Sequence, residues 1–301
     1  MLKFNSMKRL LFSILPVFIL LILPQISVAK VDLKLHLNKN TIHTYVITQE
    51  NQAIENGQAV AIEQKTALTV RHKVIERLSN GNYSIELKLM RFSILLKNNN
   101  NSLWFDSDTV DVANPLYKTL KFLTDIQLNY EVSPGGIVSN LKGFDSLQKE
   151  IQNNFQLGNF LQIFGNELFY KELYNYLPAR EVEVGMNWKS MAVLPDLSDK
   201  KYEIQYTLKE VTPENSKLAL ESVFKLATEF QNTPDGSTAK INENGTLKGT
   251  MVIDSNSGMR LASQVIQSIN LQITPDKSSP NEEAEKSLKI ITQTKFALLK
   301  N

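Results

Sequence analysis

Tyr83-Ser84-Ile85-Glu86-Leu87-Lys88-Leu89 sets apolar and polar side chains in strict alternation. Successive side chains of an extended chain point to opposite faces, so this stretch reads as a strand with one dry face and one wet face. A strand wet on one side belongs to an antiparallel sheet, because parallel strands are covered on both faces. The alternation returns in Leu33-Lys34-Leu35-His36-Leu37 and in Tyr202-Glu203-Ile204-Gln205-Tyr206-Thr207-Leu208. Working outward from these, further strands are expected near 41–49, 59–77, 127–133, 136–141, 216–229, 246–254, 258–273 and 286–298. Turn residues separate them: Asn80-Gly81, Pro134-Gly135-Gly136, Pro213-Glu214-Asn215, Pro234-Asp235-Gly236, and Asp254 to Gly258.

The middle of the chain changes period. Asn114-Pro115 reads as a helix start, with Leu116, Leu120 and Leu123 on one face. Asp145 and Gln148 have the spacing of a capping box ahead of the stripe Leu147, Ile151 and Phe155. A third helix is expected from 157 to 176, ended by Pro178. Strand–turn–strand units in 68–91 and 202–225 resemble each other, as do those around Gly135 and Gly258. The expected fold is mainly β: an antiparallel curved sheet, or half-barrel, built from two similar β-units with a central helical insert. Its parts are a signal peptide (1–29), a first β-unit (30–142), the insert (143–178) and a second β-unit (179–301). Strand order alone does not choose between barrel and sandwich.

Lys3, Lys8 and Arg9 precede an apolar run from Leu10 to Leu23, and Ser27-Val28-Ala29 places small residues before Lys30. This is the pattern of a secretory signal cleaved after Ala29. The run is shorter than the roughly 20 residues that span a bilayer, although a retained membrane anchor is the alternative. The sequence has no cysteine, so a lipoprotein anchor, a disulfide framework and a thiol nucleophile are all excluded. Of 33 basic and 31 acidic residues, three bases and no acid precede Lys30. The remainder is therefore close to neutral, which argues against nucleic acid as a partner. We expect a periplasmic or extracellular protein.

Motifs that carry chemistry are sparse. Neither G-x-S-x-G nor a phosphate-binding glycine loop occurs, and there is no H-x-H or H-E-x-x-H. His72 falls in register with Leu68, Val70 and Val74 and reads as a core residue satisfied by hydrogen bonds. Asp106 and Asp108 form an acidic pair of the kind found in glycoside hydrolysis, but also on any solvated turn. The expectation is a protein that is not an enzyme and uses no cofactor or metal.

Aromatic residues are dense in and beside the third predicted helix: Phe155, Phe160, Phe164, Phe169, Tyr170, Tyr174 and Tyr176. A helix apolar on most sides is buried or covers something apolar. One reading is core packing. The functional reading is a helical lid over a curved sheet that encloses a hydrophobic ligand. On that reading Phe160, Phe164, Trp104 and Trp188 line the site, and the ligand is a lipid or another apolar or amphipathic envelope component. The alternative is a structural or assembly protein that meets another envelope protein through a sheet edge or apolar patch.

Several segments carry a resemblance. They are Val31 to Leu37, Tyr45 to Gln49, Tyr130-Glu-Val-Ser-Pro-Gly-Gly-Ile-Val138, and Leu141 to Leu147. Leu177-Pro-Ala-Arg-Glu-Val-Glu-Val-Gly-Met-Asn-Trp188 and Leu247 to Gly258 complete the set. Together they resemble an uncharacterised family of exported bacterial β-rich proteins. The resemblance implies a fold and assigns no catalytic residue. In architecture alone the chain is also similar to periplasmic lipoprotein carriers, in which a curved sheet is closed by helices over an apolar cavity.

Overall fold

Strands that are apolar on one side must bring those sides together, and here they do so within a single sheet. A computed structural model describes residues 30–98, 101–110, 117, 121–153, 167–171, 173–193, 201–232, 238–275 and 285–299. Among these residues the sheet has twelve antiparallel strands. The first half comprises β1 (Ile42–Glu55), β2 (Gln58–Arg77), β3 (Tyr83–Asn98), β4 (Asn101–Asp106), β5 (Gln127–Val132) and β6 (Val138–Lys142). The second comprises β7 (Asn187–Val193), β8 (Lys201–Val211), β9 (Asn215–Asn232), β10 (Thr238–Asp254), β11 (Arg260–Pro275) and β12 (Lys286–Leu298).

The order across the sheet is β6-β5-β3-β2-β1-β12-β11-β10-β9-β8-β7, with β4 also paired to β3. The chain steps outward from β1 to one edge, crosses to the other edge, and steps back in. Its last strand then pairs with its first, from Tyr45↔Leu298 to Glu55↔Leu288. Register shifts interrupt the ladders at Thr69/Val70, Leu208/Glu210, Ile241/Glu243 and Val252/Ile253, among others. An unpaired residue bends its strand and increases the local twist, so these bulges curl the sheet. The concave face collects Tyr83, Ile85, Leu87 and Leu89 from β3, and Tyr202, Ile204, Tyr206 and Leu208 from β8; all eight are buried.

The alternating segment Leu33–Leu37 is a correction to the expected strand. Its leucines are buried as the pattern requires, but it is not a rung of the sheet. It straps the end of the sheet that carries the turns at 78–82, 133–137 and 254–259. Val31 exchanges backbone bonds with Val182, Leu35 N–H donates to Pro134 O (2.8 Å), and His36 N–H donates to Ser257 O (2.9 Å). Tyr83 Oη donates to Leu35 O (3.1 Å). Alternation reports which side chains are dry; the partner of the backbone is a separate matter.

Two helices and one short 3-10 turn are described. Of the first expected helix, Tyr117 and Lys121 are described and helical and the turn η1 (Phe122–Asp125) follows, with Leu123 buried; Asn114, Pro115, Leu116 and Leu120 lie outside the described residues. Helix α1 (Phe144–Asn153) begins one residue before Asp145, which sits in its first turn and not at its cap. Its buried face is Phe144, Leu147 and Ile151. Helix α2 (Glu167–Lys171) is followed by turns through Tyr176. The expected α-helical spacing thus stops at Lys171, because Tyr174, Asn175 and Tyr176 are each tied to a different strand or turn.

Gly258 makes the strap possible. Its φ is +72°, and a Cβ there would lie 2.2 Å from Lys34 O. Gly57 has a similar φ of +81° but faces open space. Gly57→Ala is expected to destabilise by about 1 kcal/mol, the left-handed backbone term alone. Gly258→Ala is expected to cost about 3 kcal/mol or more, because the strap must also move. Urea unfolding of both variants measures the difference, and equal losses would show that the close approach contributes nothing.

Candidate functional site

The curl of the sheet leaves more concave surface than its own side chains fill. Between that surface and the covering segment around Leu173–Tyr176 lies a cavity of about 380 Å³. Leucines from both flanks face it, among them Leu68, Leu87 and Leu128 on one side and Leu220 and Leu247 on the other. Ile47 and Phe296, from the paired first and last strands, form its floor. The volume falls in the range of small-molecule sites, roughly 300–1,000 Å³, and so does the apolar lining.

The cover is held by tyrosine hydroxyls. Tyr174 Oη meets Tyr130 Oη at 2.9 Å and His72 Nδ1 at 3.2 Å. Tyr176 Oη donates to Gly258 O (3.0 Å), and Tyr206 Oη donates to the Asn175 carbonyl oxygen Oδ1 (3.3 Å). Each hydroxyl ties the cover to a different part of the sheet, and each satisfies a polar atom that burial would otherwise leave costly. Burial pushes the Tyr176 hydroxyl up to about 12 and raises Tyr174 further. Burial, with the nearby positive charge of His43 and Arg260 adding, pushes His72 down to about 3. The imidazole is therefore neutral at pH 7 and acts as a hydrogen-bonding core residue, as its register in the sequence suggested.

Arg260 is the charged side chain among the described lining residues. By parity with Ser263 and Val265 on the cavity face it belongs on the convex side. The register shift puts Arg260 opposite Ile253 where Ala262 is opposite Val252, so one extra residue turns Arg260 inward. Its guanidinium carbon sits 4.9 Å from the ring centroids of both Tyr176 and Phe296. Its Nη2 donates to Leu173 O at 3.4 Å. Nothing in the sequence marks this residue except its place just after the Asp254–Gly258 turn.

Phe160 and Phe164 lie outside the described residues. Trp104, on β4, is 46% exposed, and it is not among the residues lining this cavity. Trp188 stands behind the cover: its Nε1 donates to Tyr176 O (3.0 Å) and its ring stacks on Tyr206 at 5.9 Å. The aromatic region of the sequence instead reaches the cavity through Tyr170, Tyr174 and Tyr176, joined by Tyr45 from β1. The acidic pair is divided in environment. Asp106 is buried and bonded to the Arg91 guanidinium, which holds its carboxyl below the usual range, so it is a permanent anion and no proton donor. Among the described residues no group of three or more His, Asp and Glu is placed to hold a metal ion.

The chain belongs to a family of unknown function (DUF6263), whose model matches residues 80–260. No curated protein matches it. A solved structure titled "Lipid-protein interactions in lipovitellin" is similar at 8% identity with a TM-score of 0.44, covering 88% of this chain and 26% of that one. The chain thus spans about a quarter of the length of that structure.

The His72 environment sets a pH dependence. Its folded pKa lies below the unfolded value of 6.5, so the unfolded chain takes up a proton that the folded protein refuses. The stability is intact above pH 6.5 and is lost as pH falls toward 3. Between pH 6 and 4 urea titrations should show a loss approaching about 1.4 kcal/mol per pH unit. His72→Gln should leave a weaker slope, from His43, whose pKa burial also lowers, and from carboxylates such as Asp106 whose pKa is lowered. An unchanged slope in the variant would remove His72 from the account.

Proposed function

We propose that this protein is a non-enzymatic carrier or sensor of an apolar or amphipathic small molecule in the cell envelope. The observation that carries the reading is the cavity of about 380 Å³, lined chiefly by Leu, Val, Ile and Tyr, on the concave face of the sheet. An apolar cavity of this size costs stability, because its walls lack neighbours on one side. A hydrocarbon guest supplies those contacts and removes apolar surface from water, at about 25 cal/mol per Å².

The envelope location rests on the sequence: the basic start, the apolar run Leu10–Leu23 and the small residues before Lys30. On this reading residues 1–29 are removed, and 30–142 and 179–301 are two related β-units flanking the insert 143–178. Export is tested by the N-terminus of protein recovered from the native envelope, which should be Lys30.

The binding reading is tested by native mass spectrometry of protein from its own host, followed by organic extraction. The expected result is a reproducible adduct that extracts with lipids. Leu220→Trp places a larger ring in the cavity at about 1–3 kcal/mol of overpacking. That variant should remain folded by circular dichroism and lose the adduct. A clean unliganded mass under gentle conditions would sink the carrier reading and direct attention to protein partners.

A further inference from the structure

Arg260 places a full positive charge in the wall of a mainly apolar cavity, and nothing described in the protein neutralises it. Among the described residues no Asp or Glu lines the cavity and no carboxylate forms an ion pair with Arg260. The other titratable base in the wall, His72, is neutral at pH 7. The two flanking rings of Tyr176 and Phe296 favour a cation over their faces, yet they leave its charge in place. The planar guanidinium carries five N–H donors.

Those donors are underused. Of five N–H groups, the described bond is the long one from Nη2 to Leu173 O, and Nε is buried without a partner. A second donor stands close by. Tyr45 is 1% exposed, its ring lies 4.5 Å from Phe296, and its hydroxyl is also buried without a partner. The charge of Arg260 acts on Tyr45 directly, opposing the rise that burial imposes on the tyrosine pKa. Gln267 adds a third lining residue with a buried, unpartnered donor, Nε2. Buried donors are normally satisfied, and an uncompensated cation in an apolar wall is costly. Gln267 lies seven residues along β11 from Arg260, too far at roughly 3.3 Å per residue to share one headgroup, but Arg260 and Tyr45 have a common solution: an acceptor that carries negative charge.

We infer that the ligand of this cavity is a single-chain anionic amphiphile, its carboxylate or phosphate held by the Arg260 guanidinium with Tyr45 Oη beside it and its hydrocarbon tail against the leucines. The inference rests on the carrier reading and adds the charge class to it. The planar fork of arginine matches a carboxylate or phosphate by two parallel bonds, which a neutral ester or alcohol does not reproduce. Without Arg260 the cavity would accept neutral tails; with it, a neutral tail leaves the cation unanswered.

The test is a titration of the purified, delipidated protein with four probes of one chain length: laurate, dodecyl phosphate, methyl laurate and dodecyltrimethylammonium. Laurate or dodecyl phosphate should bind at least about tenfold tighter than methyl laurate and the cationic probe. The stronger of the two identifies the headgroup. Arg260→Gln should weaken the anionic probe by about tenfold or more while leaving methyl laurate within about twofold. Arg260→Lys should retain part of the preference, since the charge remains and the fork is lost. Equal binding of all four probes would overturn the anionic assignment and leave the carrier reading standing. Binding of none would overturn both. Should Arg260→Gln fail to fold, the probe series on the unmodified protein and the Tyr45→Phe variant decide. In that variant a preference for the anion reduced relative to methyl laurate supports the inference; an unmoved preference defeats the placement of the headgroup beside Tyr45, and equal binding of the four probes to the unmodified protein defeats the anionic assignment.

Discussion

A sheet that curls without closing has an apolar concave face and no strand to finish the enclosure, and that problem governs this molecule. Edge strands β6 and β7 each pair on one side only. Of the chain between them, the described residues Tyr170, Tyr174 and Tyr176 are buried and line the cavity on the concave face. The strap Leu33–Leu37 seals the end where the turns cluster. Both coverings are irregular backbone in a buried place, so their polar groups must find partners outside any ladder. They find them in turn carbonyls, in Tyr83 Oη and in the Trp188 indole. The hydrogen bonds of the cover are for that reason long-range, joining residues as far apart as Tyr176 and Gly258.

The same arrangement explains why the interior is polar at its centre and apolar at its flanks. The hydroxyls of Tyr130 and Tyr174 and the imidazole of His72 satisfy one another where the cover meets the first half of the sheet. Arg260 sits between two rings where the cover meets the second half. Between these anchors the cover does not press into the leucines, and the cavity is what remains. A cover pinned at a few polar points, rather than packed along its length, is a way to hold a hydrophobic space open.

Much of the sheet was legible. Strands β2, β5, β6, β9, β11 and β12 lie close to their expected spans, because one dry face imposes alternation and turn residues punctuate it, whereas β10 begins eight residues before its expected start. Strand β4 was missed: six residues with Trp104 half out in solvent carry too little pattern. Strand β1 runs on to Glu55 through Gln49-Glu50-Asn51-Gln52, a polar stretch held by neighbours on both sides and not by burial. Of the aromatic-dense region near 155–176, Tyr170, Tyr174 and Tyr176 line the cavity, while Phe160 and Phe164 lie outside the described residues. Arg260 was invisible, since its inward orientation comes from one unpaired residue in β11.

Local physics therefore determined what the chain alone can specify: which residues are extended, which side of each strand is dry and where the turns fall. These follow from side-chain period and from glycine and proline chemistry, all of which act within a few residues. The tertiary structure decided what those elements meet. It made Leu33–Leu37 a strap and not a strand, chose which tyrosines hold the cover, and turned one arginine into the apolar interior. Such choices depend on register and curvature summed over a sheet whose partners lie up to two hundred and fifty residues apart, as Tyr45 and Leu298 do. No short window of sequence contains that information.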